Sequence, residues 1–212
     1  MKSLSLSRPL ILMVIGVPGS GKSFFARQFA AMFSAPLVSP DFVRSQIFVS
    51  PRYSREEDEV IQTLCAQQID ELLKTEKTFL VDGGLNIRAD RLELAKLART
   101  AGYGTLIVWV QTDEPTSYSR ATKRNARRQG DLYNSPLTEE QFDMLTKRLS
   151  PPSAQEPFVV ISGKHTYATQ AKVVLKKLIV PREQHTQQTT PIPPTSHENQ
   201  APTSPRRNVI IN

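Results

Sequence analysis

The chain has 212 residues, enough for one sizeable core and short for two full domains. Hydrophobic residues make up 39% and charged residues 22%, which predicts a soluble globular body and argues against a disordered or membrane-embedded one. The net charge of +7 points to an anionic partner, and its distribution narrows the choice. Arg120, Lys123, Arg124, Arg127 and Arg128 fall in one stretch without an acid. That pattern suits a phosphate-handling element better than a general affinity for nucleic acid or membrane, with a solvated helix face as the plain alternative.

Lys2 and Arg8 precede the apolar run Pro9–Val17, an arrangement that resembles a secretory signal. The run ends in Gly-Val-Pro-Gly-Ser-Gly-Lys-Ser and not in a small-residue cleavage site, so it reads as a buried strand feeding a loop. No segment approaches transmembrane length. Leu10–Ile15 is continuously apolar, as a central parallel strand covered on both faces should be. A helix over Lys22–Phe33 follows, with Phe25, Phe29 and Phe33 on one face. Pro36–Ser39 reads as a short strand and Asp41–Phe48 as a short helix. Ser54 with Glu57 three residues later predicts a capping box, opening a helix to about Glu76. The acidic run Glu56–Glu59 then serves a helix N-terminus and not a metal. Cys65 lies within this helix and reads as buried filler. As the single cysteine it excludes an intramolecular disulfide and fits a reducing, cytoplasmic setting.

Thr78–Val81 is the third predicted strand, ending at Asp82-Gly83-Gly84. A helix over Arg88–Thr100 stops at Gly102, and Thr105–Val110 is the fourth strand. Pro115 suits the first turn of the next helix, which is expected to carry the basic cluster. The segment from Gln129 to Pro136 reads as a mobile loop. Thr138 with Gln141 is a second capping box, for a helix ending before Pro151-Pro152. Phe158–Ile161 is the fifth strand and Thr166–Ile179 the closing helix. Tyr103 and Trp109 read as core. Alternating strands and helices imply right-handed crossovers and a parallel sheet. A body over residues 1–180 and a tail over 181–212 follow. Gln184–Pro205 is rich in Gln, Thr, Pro and Ser and is expected to be disordered. Val209-Ile210-Ile211 turns apolar again, which suits either a docking peptide for a protein partner or a terminus without function.

The decisive motif is Gly16-Val17-Pro18-Gly19-Ser20-Gly21-Lys22-Ser23 between the first strand and the first helix. Its glycines let backbone amides turn toward phosphate oxygens, and the helix presents its positive end. Lys22 is expected to reach the β- and γ-phosphates of ATP, and the Ser23 hydroxyl to ligate Mg²⁺. A guanine-reading Asn-Lys-x-Asp signal and an Asp-x-x-Gly switch are missing from the sequence, which disfavours a GTPase. The length leaves no room for a ring ATPase's separate helical lid domain. A compact kinase remains.

Four stretches carry a likeness to a known family: Gly16–Ser23; Ser39-Pro40-Asp41-Phe42-Val43-Arg44; Val81-Asp82-Gly83-Gly84-Leu85-Asn86 followed by Arg91; and Arg124-Asn125-Ala126-Arg127-Arg128. Over roughly Leu10–Leu178 the chain resembles the zeta-toxin and polynucleotide-kinase-like P-loop kinases. That resemblance implies an α/β three-layer fold with a five-stranded parallel sheet and an Arg-rich lid. It implies that Asp41 takes the proton of the acceptor hydroxyl and that Arg44 contacts the acceptor or its phosphate. The plain alternative makes Asp41 the cap of its short helix. Asp82, beside the phosphate loop, would hold Mg²⁺ directly or through water. Arg120, Arg124 and Arg128 would fold over the triphosphate as a lid, while Lys123 and Arg127 point to solvent. His165 falls where relatives contact the base, but a lone His is usually structural or solvated. Relatives read Asp-Ala-Thr-Asn where this chain is one residue longer, and the motif alone gives Asn86 no role. The expected activity is transfer of a phosphoryl group to a hydroxyl on a nucleic-acid 5′ end or a small molecule such as a sugar nucleotide. A nucleotide-dependent switch without transfer is the reading from another class, and it would have no need of Asp41 as a base.

Overall fold

The computed structural model describes residues 8–49, 52, 54–125, 133 and 135–179. The elements run β1 (Leu10–Ile15), α1 (Lys22–Phe33), β2 (Leu37–Val38), α2 (Pro40–Ile47), α3 (Arg55–Leu73), β3 (Phe79–Asp82) and α4 (Arg88–Thr100). They continue as β4 (Gly104–Gln111), α5 (Glu114–Thr122), α6 (Glu139–Lys147), β5 (Phe158–Ser162) and α7 (Tyr167–Ile179). The strands form one parallel five-stranded sheet in the order β2-β3-β1-β4-β5. The alternating sequence pattern thus folds as expected.

β1 sits at the centre, and all six of its residues are buried. Side chains alternate across a strand, so a continuous apolar run must feed two cores. Leu10, Leu12 and Val14 pack with Phe25, Phe29, Val108 and Val174. Ile11, Met13 and Ile15 pack with Ile61, Cys65, Phe79, Leu94 and Ile107. Helices α1 and α7 cover the first face, and α3 and α4 the second. The predicted phenylalanine ladder forms: ring centroids of Phe25 and Phe29 lie 5.3 Å apart, and those of Phe29 and Phe33 4.8 Å apart. Tyr103 is buried and donates to the Leu72 carbonyl at 3.0 Å, joining β4 to the end of α3. Burial pushes the Cys65 thiol up to about 11, so it stays neutral filler.

Local details depart from the sequence reading at two places. Ser54 caps α3 by accepting from the Glu57 N–H at 3.3 Å, but the Glu57 carboxylate accepts from the Arg52 N–H at 2.9 Å, so no reciprocal box forms there. Thr138 and Gln141 do form a complete box at α6. The second departure is α5, which ends at Thr122 and so does not carry the whole basic cluster. The Thr122 hydroxyl bonds back to the Tyr118 carbonyl at 3.0 Å, a competing local bond. Lys123 and Arg124, the next cations, have no acid three or four residues away to support another turn. The expected disordered tail and the expected loop over 129–132 and 134 lie outside the described residues. Among the described residues no helix is long and apolar enough to cross a membrane.

Candidate functional site

Gly16–Ser23 joins β1 to α1 at the C-terminal edge of the sheet, where open α/β sheets bind ligands. Packing fixes its shape. Gly19 has φ +75°, and a Cβ there would lie 2.1 Å from the Ser117 carbonyl oxygen, so both conformation and space demand glycine. On the other flank, a Cβ at Gly163 in the β5–α7 turn would lie 1.8 Å from the Ser20 carbonyl oxygen. The Thr112 hydroxyl donates to that same carbonyl at 3.0 Å. Asn86 holds the loop's first residue from both sides. Its Oδ1 accepts from the Gly16 N–H and its Nδ2 donates to the Gly16 carbonyl, each at 3.2 Å. Gly21 precedes α1 without a side-chain cap, so the first N–H groups of α1 are left to an anion.

Lys22 donates from Nζ to the Val17 carbonyl at 2.9 Å, which curls the side chain back over the loop. Burial lowers its pKa, while Asp82 and Asp41 act in the opposite direction. Asp82 ends β3 and pairs in register with Val14 of β1. It is buried, and burial pushes its carboxyl up to about 6 against the pull of the Ser23 hydroxyl and of Lys22. Its Oδ1 has no hydrogen-bond partner. A buried carboxylate oxygen without a donor, beside a serine hydroxyl, fits a hard divalent cation. Among the described residues no group of three or more His, Cys, Asp or Glu could hold a metal. A cation here would therefore draw its remaining ligands from phosphate oxygens and water.

Asp41 lines the same cleft from α2. The cap of that helix is Ser39, whose hydroxyl accepts from the Phe42 N–H at 3.5 Å. The capping role proposed as the plain alternative for Asp41 is thus taken by another residue. Arg44 behaves differently from its expected part. Its guanidinium is buried against α3, with Nη1 3.4 Å from Glu57 and Nη2 2.5 Å from Asp58, and it does not line the cleft. In this structure it braces α2 against α3.

The cleft is a cavity of about 630 Å³, lined by the phosphate loop, by Asp41 and Asp82, and by the cations Arg120, Lys123 and Arg124. Arg120 donates to the Gly163 carbonyl at 3.1 Å and Arg124 to the Ser135 carbonyl at 2.9 Å. Arg128 lies outside the described residues. Lys123, expected to face solvent, lines the cavity although it is exposed. The turn after β5 adds Gly163, Lys164 and His165 to the lining, and Lys164 pairs with Asp113. That hydrogen bond holds the Asp113 carboxyl well below the usual range.

Sequence reasoning thus gathers Lys22, Ser23, Asp41, Asp82, Arg120 and Arg124 into one cleft. It misses the Asn86 clamp, the Thr112 support and the pressure of Gly163 on Ser20. The β1–loop–α1 geometry in a parallel sheet of this order defines a P-loop nucleoside-triphosphatase fold. The chain matches the family model described as AAA domain over residues 11–152, and it belongs to that family. Solved structures of low identity share the fold. One is a Chloroflexus aurantiacus protein, at 16% identity and TM-score 0.65, covering 81% of this chain and 100% of that one. Another is Kti12 of Chaetomium thermophilum in complex with ADP-AlF3, at 19% identity and TM-score 0.57, covering 80% and 99%. A third is the Mycobacterium tuberculosis APS kinase CysC in complex with AMPPNP and APS, at 16% identity and TM-score 0.55, covering 81% and 98%. No curated protein matches the chain at significant similarity.

Proposed function

We propose that the protein is an ATP-dependent kinase that moves the terminal phosphoryl group to a hydroxyl acceptor. The observation that carries the reading is the position of Asp41. It shares a cleft with Lys22 and Asp82, while Ser39 caps its helix. A nucleotide switch has no use for a carboxylate opposite the phosphate loop, whereas phosphoryl transfer needs one to orient the attacking oxygen. In this reading the acceptor's O–H proton passes to Asp41 as the oxygen bonds to the γ-phosphorus. The bond from that phosphorus to the β-phosphate oxygen breaks, and ADP leaves. Lys22 exchanges the Val17 carbonyl for β- and γ-phosphate oxygens. Arg120 and Arg124, with Arg128 of the same basic stretch, balance charge on the transferring group. Mg²⁺ held by Ser23 and Asp82 would neutralise phosphate charge.

The likeness of Asp41-x-x-Arg44 to the polynucleotide-kinase branch supports the assignment of Asp41. The kinases among the structural neighbours, which include a gluconokinase from Sinorhizobium meliloti at 19% identity, support a hydroxyl acceptor in general terms. The test is transfer from γ-labelled ATP across oligonucleotide 5′-hydroxyls, nucleosides, sugar nucleotides and aminoglycosides. Label is expected on one acceptor class and lost in Asp41→Asn. ATP binding without transfer to any of them would favour the switch.

A further inference from the structure

Asn86 is itself held by a buried ionic group that the transfer chemistry does not use. Arg91, in the first turns of α4, is among the largest fully buried side chains, at 1% exposure. Its Nε donates to Glu156 Oε1 at 2.8 Å and its Nη2 to Glu156 Oε2 at 3.4 Å. Its Nη1 donates to the carbonyls of Leu85 and Asn86 at 3.2 and 3.0 Å. The Ser150 N–H also reaches the Asn86 carbonyl, at 2.9 Å. Glu156 in turn accepts from the Ser153 N–H at 2.8 Å and the Ser153 hydroxyl at 3.1 Å, and Arg88 lies 3.7 Å away. An unbroken set of hydrogen bonds therefore runs from the α6–β5 connection through Glu156, Arg91 and Asn86 to Gly16.

An apolar pair of similar volume would fill this space at equal or lower cost than a buried ion pair. What it could not do is hold two adjacent carbonyls at fixed places. The planar guanidinium does so because Glu156 fixes one edge while Nη1 projects from the other. With the Asn86 backbone held, its carboxamide meets both polar groups of Gly16 at the exit of β1. That is where the loop must leave the strand with its amides turned inward.

We propose that Arg91 is a positioning residue for the phosphate loop, acting through Asn86, so that the Arg91–Glu156 pair sets nucleotide affinity from behind the cleft. The inference rests on the phosphate-binding reading of Gly16–Ser23. The test uses the full chain, a fluorescent N-methylanthraniloyl ATP titration for affinity, and thermal melting without nucleotide for stability. Asn86→Ala should weaken the analogue by roughly 10–100-fold, the range for residues that orient a ligand-binding group, while the melting temperature moves little. Arg91→Lys keeps a charge against Glu156 but loses the fork, and it should weaken binding about tenfold without rescue. Arg91→Met combined with Glu156→Met leaves no lone charge buried, so it should fold and bind as weakly as Asn86→Ala. Adding Asn86→Ala to that pair should cost nothing more, because all three act along one route. Wild-type affinity in Asn86→Ala or in the folded double variant overturns the proposal, as do losses that multiply. An unfolded double variant makes Arg91 a brace of the core and also overturns it. Lys22→Ala separates the two readings. Its failure to weaken binding sinks the phosphate-loop assignment and this inference together, whereas loss in Lys22→Ala alone sinks only the inference.

Discussion

The two sides of the cleft are built on opposite plans. The floor, Gly16–Ser23, touches its supports so closely that Gly19 and Gly163 have no room for a methyl group. The arm carries Arg120, Lys123 and Arg124 at its edge, where Lys123 is exposed and two of the arginines bond to backbone carbonyls. A floor whose dipoles are already aimed needs little reorganisation when phosphate arrives. Cations that rest on carbonyl groups can exchange those partners for a phosphoryl group. In the kinase reading proposed above, the floor would bind the ground state and the arm would stabilise charge as it redistributes.

The comparison is broken most sharply at Lys22. In the kinase reading, Lys22→Ala should abolish ATP turnover in a folded protein, because it removes the charge that would serve the β- and γ-phosphates. Unchanged turnover in a protein that melts normally would remove the floor from the chemistry.

Asp41→Asn should keep ATP affinity and lower the transfer rate by roughly two to four orders of magnitude, the usual contribution of a general base. A pre-steady-state transfer assay beside a nucleotide titration separates the two quantities. A lower melting temperature with an unchanged rate would return Asp41 to a structural role.

Arg124→Ala tests the arm. It should reduce transition-state stabilisation by roughly 2–4 kcal/mol while ATP Kd changes much less. Arg124→Lys should recover little, since an ammonium lacks the planar fork. Equal losses in kcat and affinity would show that arm and floor do the same work.

The smallest effect concerns pH. The Asp82 carboxyl keeps its proton up to about pH 6 in the folded protein instead of the ordinary 3.8. Above that value the carboxylate is ready for a cation, and below it the cation competes with a proton. Mg²⁺ affinity should therefore fall by up to about tenfold per pH unit below 6 and stay level above 7. Isothermal titration from pH 5 to 8 checks this, and a slope that persists in Asp82→Asn would assign it to another group.

The floor was legible in the sequence because its information is local. Eight consecutive residues set the turns, and the apolar strand before them and the Phe25–Phe29–Phe33 helix after them fix its place. What supports the floor was not legible. Asn86 meets Gly16 across 70 residues and Thr112 meets Ser20 across 92, and neither spacing leaves a periodic trace. Arg44 shows the converse case. Its spacing from Asp41 puts both on one side of a helix, but Glu57 and Asp58 start the next helix close by and attract the guanidinium away from the cleft. Lys123 is exposed as expected and also lines the cavity, because α5 stops at Thr122 and a helical projection no longer applies beyond that point. The reach of Arg128 lies outside the described residues.

Gly163 carries a consequence for the order in which the molecule matures. A growing chain holds all eight residues of its phosphate loop before it holds β5, yet the Ser20 carbonyl meets the Gly163 turn only when that later segment arrives. The Gly163 N–H bonds to the Gln111 carbonyl at 2.8 Å, so that turn is itself set by the end of β4. The loop is thus made well before the turn that completes its working shape. Nucleotide binding then favours only chains whose sheet has closed through its fifth strand, since a ligand stabilises the state that holds it. A bound nucleotide would thus act on this chain as a check on complete folding.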